Sequence, residues 1–277
     1  MEKFIINGRN RKVLAKVFFC LENFQNKNKV EIVESIIRKL GSYKASGYAG
    51  YKNDKELKEF LEWAVFGRET TERFNFKIDK EDEEKIKRIC KETIKLCENF
   101  IGKNISMFIF PTFDRFVIEN MGGCGGFSSN KETILITINF VSGWGRALRE
   151  TICHELSHAI SPYCTGGEYS LGEGFILDGI AEHFREHIVG GERAPWTKTI
   201  KKEETIKILR KLKDKLGLKD QKLWESVFFG GKDYPRWTGY SIGYYLMEDY
   251  LKKQKTVDWK KIIKTPPKKI LNEILSY

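Results

Sequence analysis

The sequence lacks a long apolar run and a recognisable export signal. A membrane-spanning helix needs about 20 consecutive apolar residues, and no such stretch occurs among the 277 residues. The short apolar patch at residues 17–20 has charges on both sides, whereas a secretory signal needs an apolar core of about 7–15 residues and a small-residue cleavage site. We therefore expect a cytoplasmic protein with no membrane partner.

Two familiar kinds of binding motif are also missing. The six cysteines form no CxxC pair, which argues against a zinc ribbon or a redox motif, and we expect most of them to be buried as small apolar side chains. The glycine-rich segment 121–126 is not followed by Gly-Lys-Ser/Thr, so it is not a phosphate-binding P-loop.

The charge is basic, but no nucleic-acid-binding motif accompanies it. Lysine and arginine number 49 against 38 acidic residues, which gives a net charge of +11. At residues 80–95 and 201–220 the lysines alternate with glutamates, a pattern typical of solvated helix faces. We expect no nucleic-acid partner; a nucleic-acid-associated protein with a structural metal is the alternative reading.

The chain has enough apolar residues for a sizeable core, and their pattern predicts an α+β protein. Hydrophobic residues make up 41% of the chain, and helical spacing alternates with strand-like stretches. We predict a mainly helical region over residues 1–75, which is compatible with packing onto a catalytic domain at 76–277. A Gly/Tyr-rich turn at 41–53 separates the first two helices.

The predicted elements follow from periodicity and from glycine and proline positions. The predicted strands are 105–110 and 133–140, with a tight glycine-rich turn at 121–132 leading into the second. The predicted helices are 30–40, 54–67, 80–99, 145–160, 173–189, 199–216 and 241–254.

Histidine is scarce, and half of the histidines lie in one short motif. Of the four histidines, His154 and His158 are four residues apart, so on a helix they lie on one face. Two neutral imidazoles at this spacing suit Zn²⁺, and Glu155 beside the first is placed to take a proton from water. The HExxH pattern therefore predicts a zinc hydrolase.

A catalytic zinc site needs a third protein ligand from a later element. Asp178 and Glu182 are four apart on the next predicted helix, so both fall on one face. Either one can bind the metal, and Glu182 can instead orient a histidine ligand by accepting its spare ring N–H. Glu173, at the start of the same helix, is a more distant candidate.

Three further groups of residues are candidates for the site or its surroundings. Tyr240 and Tyr244 can place a hydroxyl near a developing oxyanion, although aromatic packing of a late helix explains them equally well. His183 and His187 are a second pair at helical spacing, and we expect partly exposed histidines rather than a second metal. Cys153 is expected to pack rather than react.

Several segments together resemble gluzincin metallopeptidases, and more closely a bacterial family of predicted zinc-dependent proteases described otherwise as a domain of unknown function. The resemblance covers roughly residues 100–250. It comprises the glycine-rich segment and strand at 122–139, HELSH at 154–158, DGIAEHF at 178–184 with Pro195-Trp196 after it, and WTGYSIGY at 237–244.

The resemblance implies a zincin-like fold with a small sheet beside the HExxH helix and a mainly helical C-terminal part. It also implies that the first acid of the later helix binds zinc and that the acid four residues on supports a histidine. This chain departs from the pattern at Asp178, where the family has glutamate, so Glu182 or Glu173 could take the ligand position. In gluzincin-like folds a strand such as 133–140 lies beside the metal cleft and pairs with an extended substrate.

We therefore expect a zinc metallopeptidase whose partner is a peptide or protein substrate. His154, His158 and Asp178 are the expected ligands and Glu155 the general base. Two alternatives are a degenerate zinc-bearing module that binds peptides without cutting them and a zinc hydrolase of a non-peptide amide.

Overall fold

The computed structural model describes residues 2–9, 13–40, 54–128, 132–164 and 169–276. The chain forms two compact units, Met1–Glu155 and Leu156–Tyr277. The division falls inside one continuous helix, Trp144–Ile160. The predicted turn at 41–53 and residues 129–131 of the predicted glycine-rich turn lie outside the described residues.

The first unit is built on a five-stranded sheet in the order β1-β2-β5-β7-β6. Strands β2, β5 and β7 run parallel to one another, while β1 and β6 pair antiparallel at the two ends. A separate two-stranded ladder joins β3 and β4. The strands are β1 Glu2–Asn7, β2 Val13–Phe19, β3 Phe24–Lys27, β4 Phe74–Phe76, β5 Ile105–Pro111, β6 Cys124–Phe127 and β7 Thr133–Ile138.

The central strands carry nearly continuous apolar sequence, because a parallel sheet is covered on both faces. The segments VLAKVFF, ISMFIFP and TILITI are mostly buried. The helices of this unit are α1 Lys29–Leu40, α2 Asp54–Phe66, α3 Lys80–Leu96, α4 Arg115–Asn120 and the first part of α5 Trp144–Ile160.

Helix α3 lies beside the first part of α5. The Arg149 guanidinium is 2.6 Å from a Glu92 carboxylate oxygen, and the sulfurs of Cys97 and Cys153 are 4.0 Å apart. These contacts fix the turn of α5 that immediately precedes His154.

The second unit is helical in its described residues. Its helices after the end of α5 are α6 Leu171–Val189, α7 Lys202–Lys211, α8 Gln221–Phe229, α9 Thr238–Lys252, α10 Trp259–Ile263 and α11 Pro267–Leu275. Short 3₁₀ turns lie at Pro195–Thr197 and Lys213–Lys215.

Helices α6 and α9 cross with their backbones in close approach. A Cβ on Gly179 would lie 2.2 Å from the carbonyl oxygen of Gly243, and a Cβ on Gly243 would lie 2.2 Å from the carbonyl oxygen of Phe175. Since real Cβ atoms do not approach that closely, both positions require glycine. The second glycine of the WTGYSIGY segment is therefore explained by packing.

All seven predicted helices and both predicted strands are present, with ends shifted by a few residues. The predicted end of the helix at 173–189 is confirmed, because Gly190 caps α6 with φ 67°. All six cysteines are buried, which confirms the expectation that most of them are. No helix in the described part of the chain is long and apolar enough to cross a membrane.

Three expectations need correction. Residues 1–75 are not mainly helical at their start, because β1, β2 and β3 occupy most of residues 2–27, and β2 pairs with β5. The glycine-rich segment contains strand β6 and is not only a turn. Strand β7 is not free to pair with a substrate, because it lies between β5 and β6.

Candidate metal centre

Helix α5, which holds the HExxH motif, is anchored by a row of core contacts. Leu148, Ile152 and Leu156 recur at four-residue spacing and are fully buried, so this stripe anchors the helix in the core. His154 and His158 lie on another face, where both are partly exposed. The helix therefore presents two imidazoles from a rigid support.

Helix α6 contributes the carboxylate. Its N-terminus is fixed by a capping box, in which the backbone N–H and hydroxyl of Ser170 donate to Glu173 Oε2 at 2.9 and 2.8 Å. Two turns further along, Asp178 is buried, with 9% of its surface exposed. Its Oδ1 lies 3.8 Å from His158 Nε2.

His154, His158 and Asp178 are brought together as the sequence predicted. Each offers one ligand atom, and these atoms all lie within 4.8 Å of one another. Zinc binds imidazole nitrogen and carboxylate oxygen at about 2.0–2.2 Å and favours this mixture of ligands in catalytic sites. The donor set fits zinc, with one coordination position left for water.

Glu155 lies against strand β6. It is 7% exposed. A Cβ on Gly126 would lie 2.5 Å from its Cγ and 2.8 Å from its Oε1, so the glycine makes room for this carboxylate. The Ser128 hydroxyl donates to the Glu155 carbonyl oxygen at 3.0 Å, which ties the end of β6 to the helix.

Glu182 does not belong to the three-ligand cluster. Its Oε2 accepts from Arg185 Nε and Nη2 at 3.3 and 3.2 Å, and its Oε1 accepts from the Trp196 indole N–H at 2.5 Å. Both Glu182 and Arg185 are 1% exposed. Glu173 also lies outside the cluster, because its carboxylate caps α6.

Tyr244 and Tyr240 both make contacts with other side chains. The Tyr244 hydroxyl donates to Glu186 Oε2 at 3.1 Å, and the Arg193 guanidinium lies 3.9 Å from its ring centroid. Burial, together with the Glu186 carboxylate, raises the pKa of the Tyr244 phenol. Tyr240 packs edge-on against Phe228 at 5.1 Å.

The second histidine pair is used in packing. His183 Nε2 lies 3.0 Å from the Tyr244 carbonyl oxygen, and burial lowers the pKa of this imidazole. The His187 ring lies 5.6 Å from the Trp259 ring. Among the described residues, His154, His158 and Asp178 form the one group of three or more ligating side chains suited to a metal.

Sequence reasoning missed the residues that support the site. No sequence motif identifies Gly126, Ser128 or Arg185 as part of the site. Trp196 is identified only through the family resemblance. The glycine run at 121–126 was the available signal for Gly126. Its interpretation as a turn hid the close approach to Glu155.

One known family matches most of the chain. The profile of the family described as Predicted Zn-dependent protease (DUF2268) matches residues 85–272, which is more than half of the chain and includes the whole cluster. The chain belongs to this family. No curated protein and no solved structure matches it.

Proposed function

We propose that the protein is a zinc-dependent metallopeptidase that cleaves peptide bonds with a water molecule activated beside Glu155. The observation that carries the proposal is the convergence of His154, His158 and Asp178 within 4.8 Å, with Glu155 next to the first ligand. The family description supports the same class of activity.

The proposed ligand set is His154, His158 and Asp178. When bound there, zinc polarises a scissile carbonyl and makes water a better nucleophile at neutral pH. Glu182 is assigned to the support of helix α6, because Arg185 and Trp196 bind both of its carboxylate oxygens. This arrangement resembles the gluzincin pattern with an aspartate in place of the usual glutamate.

Glu155 acts as the general base and then as the general acid. Its carboxylate takes a proton from the attacking water and passes that proton to the amine that leaves. Gly126 leaves the space in which this carboxylate sits. Tyr240 stays a candidate for contact with the developing oxyanion, whereas the Tyr244 hydroxyl is already bound to Glu186.

Strand β6 supports a peptide substrate over other amides. It is the last strand of the sheet in the part of the chain that the structure describes, where β7 pairs with one of its edges and no strand pairs with the other. The Asn139 N–H donates to the Gly123 carbonyl oxygen at 2.7 Å, and antiparallel bonding alternates along a strand. The backbone groups of Gly126 therefore point away from β7, where an extended peptide can pair with them.

The test is the Glu155→Gln variant compared with wild type. We expect about one zinc per chain in both proteins and cleavage of a mixed peptide library by wild type alone. Loss of a catalytic acid–base group costs about 10²–10⁴-fold in rate. Metal content is measured by mass spectrometry and cleavage by peptide product analysis.

Glu150→Gln is the matched control, because Glu150 lies on the same helix and pairs with Arg146 at its surface. It should retain both zinc and activity. A Glu155→Gln variant with full activity contradicts the mechanism. If the wild-type protein binds zinc and peptides but cleaves no peptide, the protein is a peptide-binding module and not a peptidase.

A further inference from the structure

Three aromatic side chains of the first unit form an open cluster at the end of the sheet. Phe60 and Trp63, on α2, lie 5.6 and 6.0 Å from the ring of Phe127, on β6. Trp63 is 53% exposed and Phe127 is 38% exposed. Large aromatic side chains grouped at a surface are a common sign of a binding surface.

The two faces of β6 have different neighbours. On one face, the Cys124 thiol contacts the Trp144 carbonyl oxygen at 3.5 Å, the Ser128 hydroxyl contacts Glu155, and Gly126 lies against Glu155. Alternate residues of a strand point to opposite faces. Phe127 accordingly faces away from α5, toward Phe60 and Trp63.

A peptide that pairs with the edge of β6 that no described strand occupies continues this alternation. Its residue beside Gly126 has its side chain on the face of α5, where Glu155 lies. The residues immediately before and after that one have their side chains on the other face, where Phe127 and Trp63 are exposed. The sheet geometry thus separates the residue beside Gly126 from the residues that face the aromatic cluster by one position.

We propose that Phe60, Trp63 and Phe127 form a substrate side-chain subsite that binds a large apolar residue, aromatic or long aliphatic, next to the residue paired with Gly126. This proposal rests on the proposed peptidase function and adds its substrate class. The cluster presents ring faces and edges to a ligand side chain, and aromatic contacts of this kind add to the free energy of burial.

The experiment uses pairs of extended peptides that differ only by phenylalanine or serine at one position. Products identify the cleaved bond, and the ratio of kcat/KM for the two peptides measures the preference at each position. Wild type should prefer phenylalanine at one position near the cleaved bond. Trp63→Ala and Phe127→Ala should each lower that ratio about tenfold, as expected when an apolar pocket loses part of its wall.

Phe229→Ala is the matched control, because Phe229 is 42% exposed but belongs to the second unit. It should leave the ratio unchanged. Trp63→Phe, which keeps an aromatic ring, should restore most of the preference. Since Trp63 and Phe127 are exposed, loss of folding is not expected, and circular dichroism of each variant checks this.

Two outcomes separate this proposal from the proposed function. Cleavage by wild type with a ratio that neither alanine variant changes overturns the subsite and leaves the peptidase intact. The zinc-loaded Glu155→Gln protein tests the subsite without turnover, through the affinities of the same peptides by fluorescence anisotropy. Phenylalanine-dependent binding that Trp63→Ala weakens supports the subsite even when wild type cleaves nothing, and equal binding of both peptides overturns it.

Discussion

At the residue scale, the proposed metal site has an aspartate, Asp178, where the resembling pattern has glutamate. Aspartate is one methylene shorter than the glutamate of the resembling pattern, so its helix has to lie closer to the histidines. The 3.8 Å distance from Asp178 Oδ1 to His158 Nε2 meets that requirement. The shorter side chain at position 178 therefore still reaches the imidazole of His158.

Substitution of the third ligand tests this assignment. Asp178→Ala and His154→Ala are expected to lose zinc, because each removes one of three protein ligands. Glu182→Gln and Glu173→Gln are expected to retain about one zinc per chain, since their carboxylates bind Arg185, Trp196 and Ser170 instead. Metal analysis after dialysis measures the result, and zinc retained in Asp178→Ala would move the ligand to another acid.

The Tyr244 hydroxyl gives a prediction about pH. Burial and Glu186 raise the phenol pKa, so folding favours the neutral phenol. That contribution to the free energy of unfolding is present below about pH 10, the usual tyrosine pKa, and is lost as the pH rises further.

Tyr244→Phe should therefore retain turnover and show a smaller loss of stability above pH 10 than wild type. Chemical denaturation at pH 8 and pH 10.5, together with peptide cleavage at pH 7.5, makes the comparison. A large fall in kcat with unchanged stability would instead give Tyr244 a catalytic role.

Only part of the cluster was predictable from local geometry. His154 and His158 share a helix face by their spacing alone, whereas the need for an acid on the next helix left Asp178, Glu182 and Glu173 as candidates for the third ligand. The contacts of Glu182 were not predictable in the same way. Its partner Trp196 lies beyond the end of α6, and only the packed unit shows that the indole reaches this carboxylate.

At the scale of elements, the crossing of α6 and α9 holds the helix that carries Asp178. Gly179 and Gly243 permit an approach at which any side chain meets backbone atoms. A methyl group at either position has to push the helices apart, because a carbonyl oxygen cannot rotate away as a side chain does.

Gly243→Ala should consequently destabilise the protein by about 1–3 kcal/mol or more and weaken zinc retention. Gly217→Ala is the control, because a Cβ there has no atom within 4 Å. Thermal unfolding of the zinc-bound proteins measures the difference. Equal melting temperatures for the two variants would mean that the crossing is looser than described.

Long helices were predictable from the sequence, because their apolar residues repeat over several turns. Short apolar segments were not. Helices α3, α5 and α6 have 17 to 19 residues, enough for the 3.6-residue period to stand out. Strand β2 has seven residues, and a short apolar run does not separate strand from helix. In β6, two glycines in four residues hid an edge strand inside a turn signal.

At the scale of the whole molecule, the net charge of +11 should influence which peptides arrive fastest. A positive protein attracts acidic substrates over a range set by the ionic strength. The kcat/KM for an acidic peptide should therefore fall as sodium chloride is raised from 20 to 500 mM, while that of an uncharged peptide of equal length changes little. The same dependence for both peptides would mean that the charge does not act on the substrate.

The parallel pairing of β2 with β5 has a consequence for synthesis of the chain. Ala15 pairs with Ile105, which is 90 positions further along (105 minus 15). At translation rates of about 5–20 residues per second, the partner of β2 emerges roughly 5–20 s later. During that interval the β1–β2 hairpin presents an unpaired apolar strand, so the nascent chain has a time window in which chaperone contact protects it from aggregation.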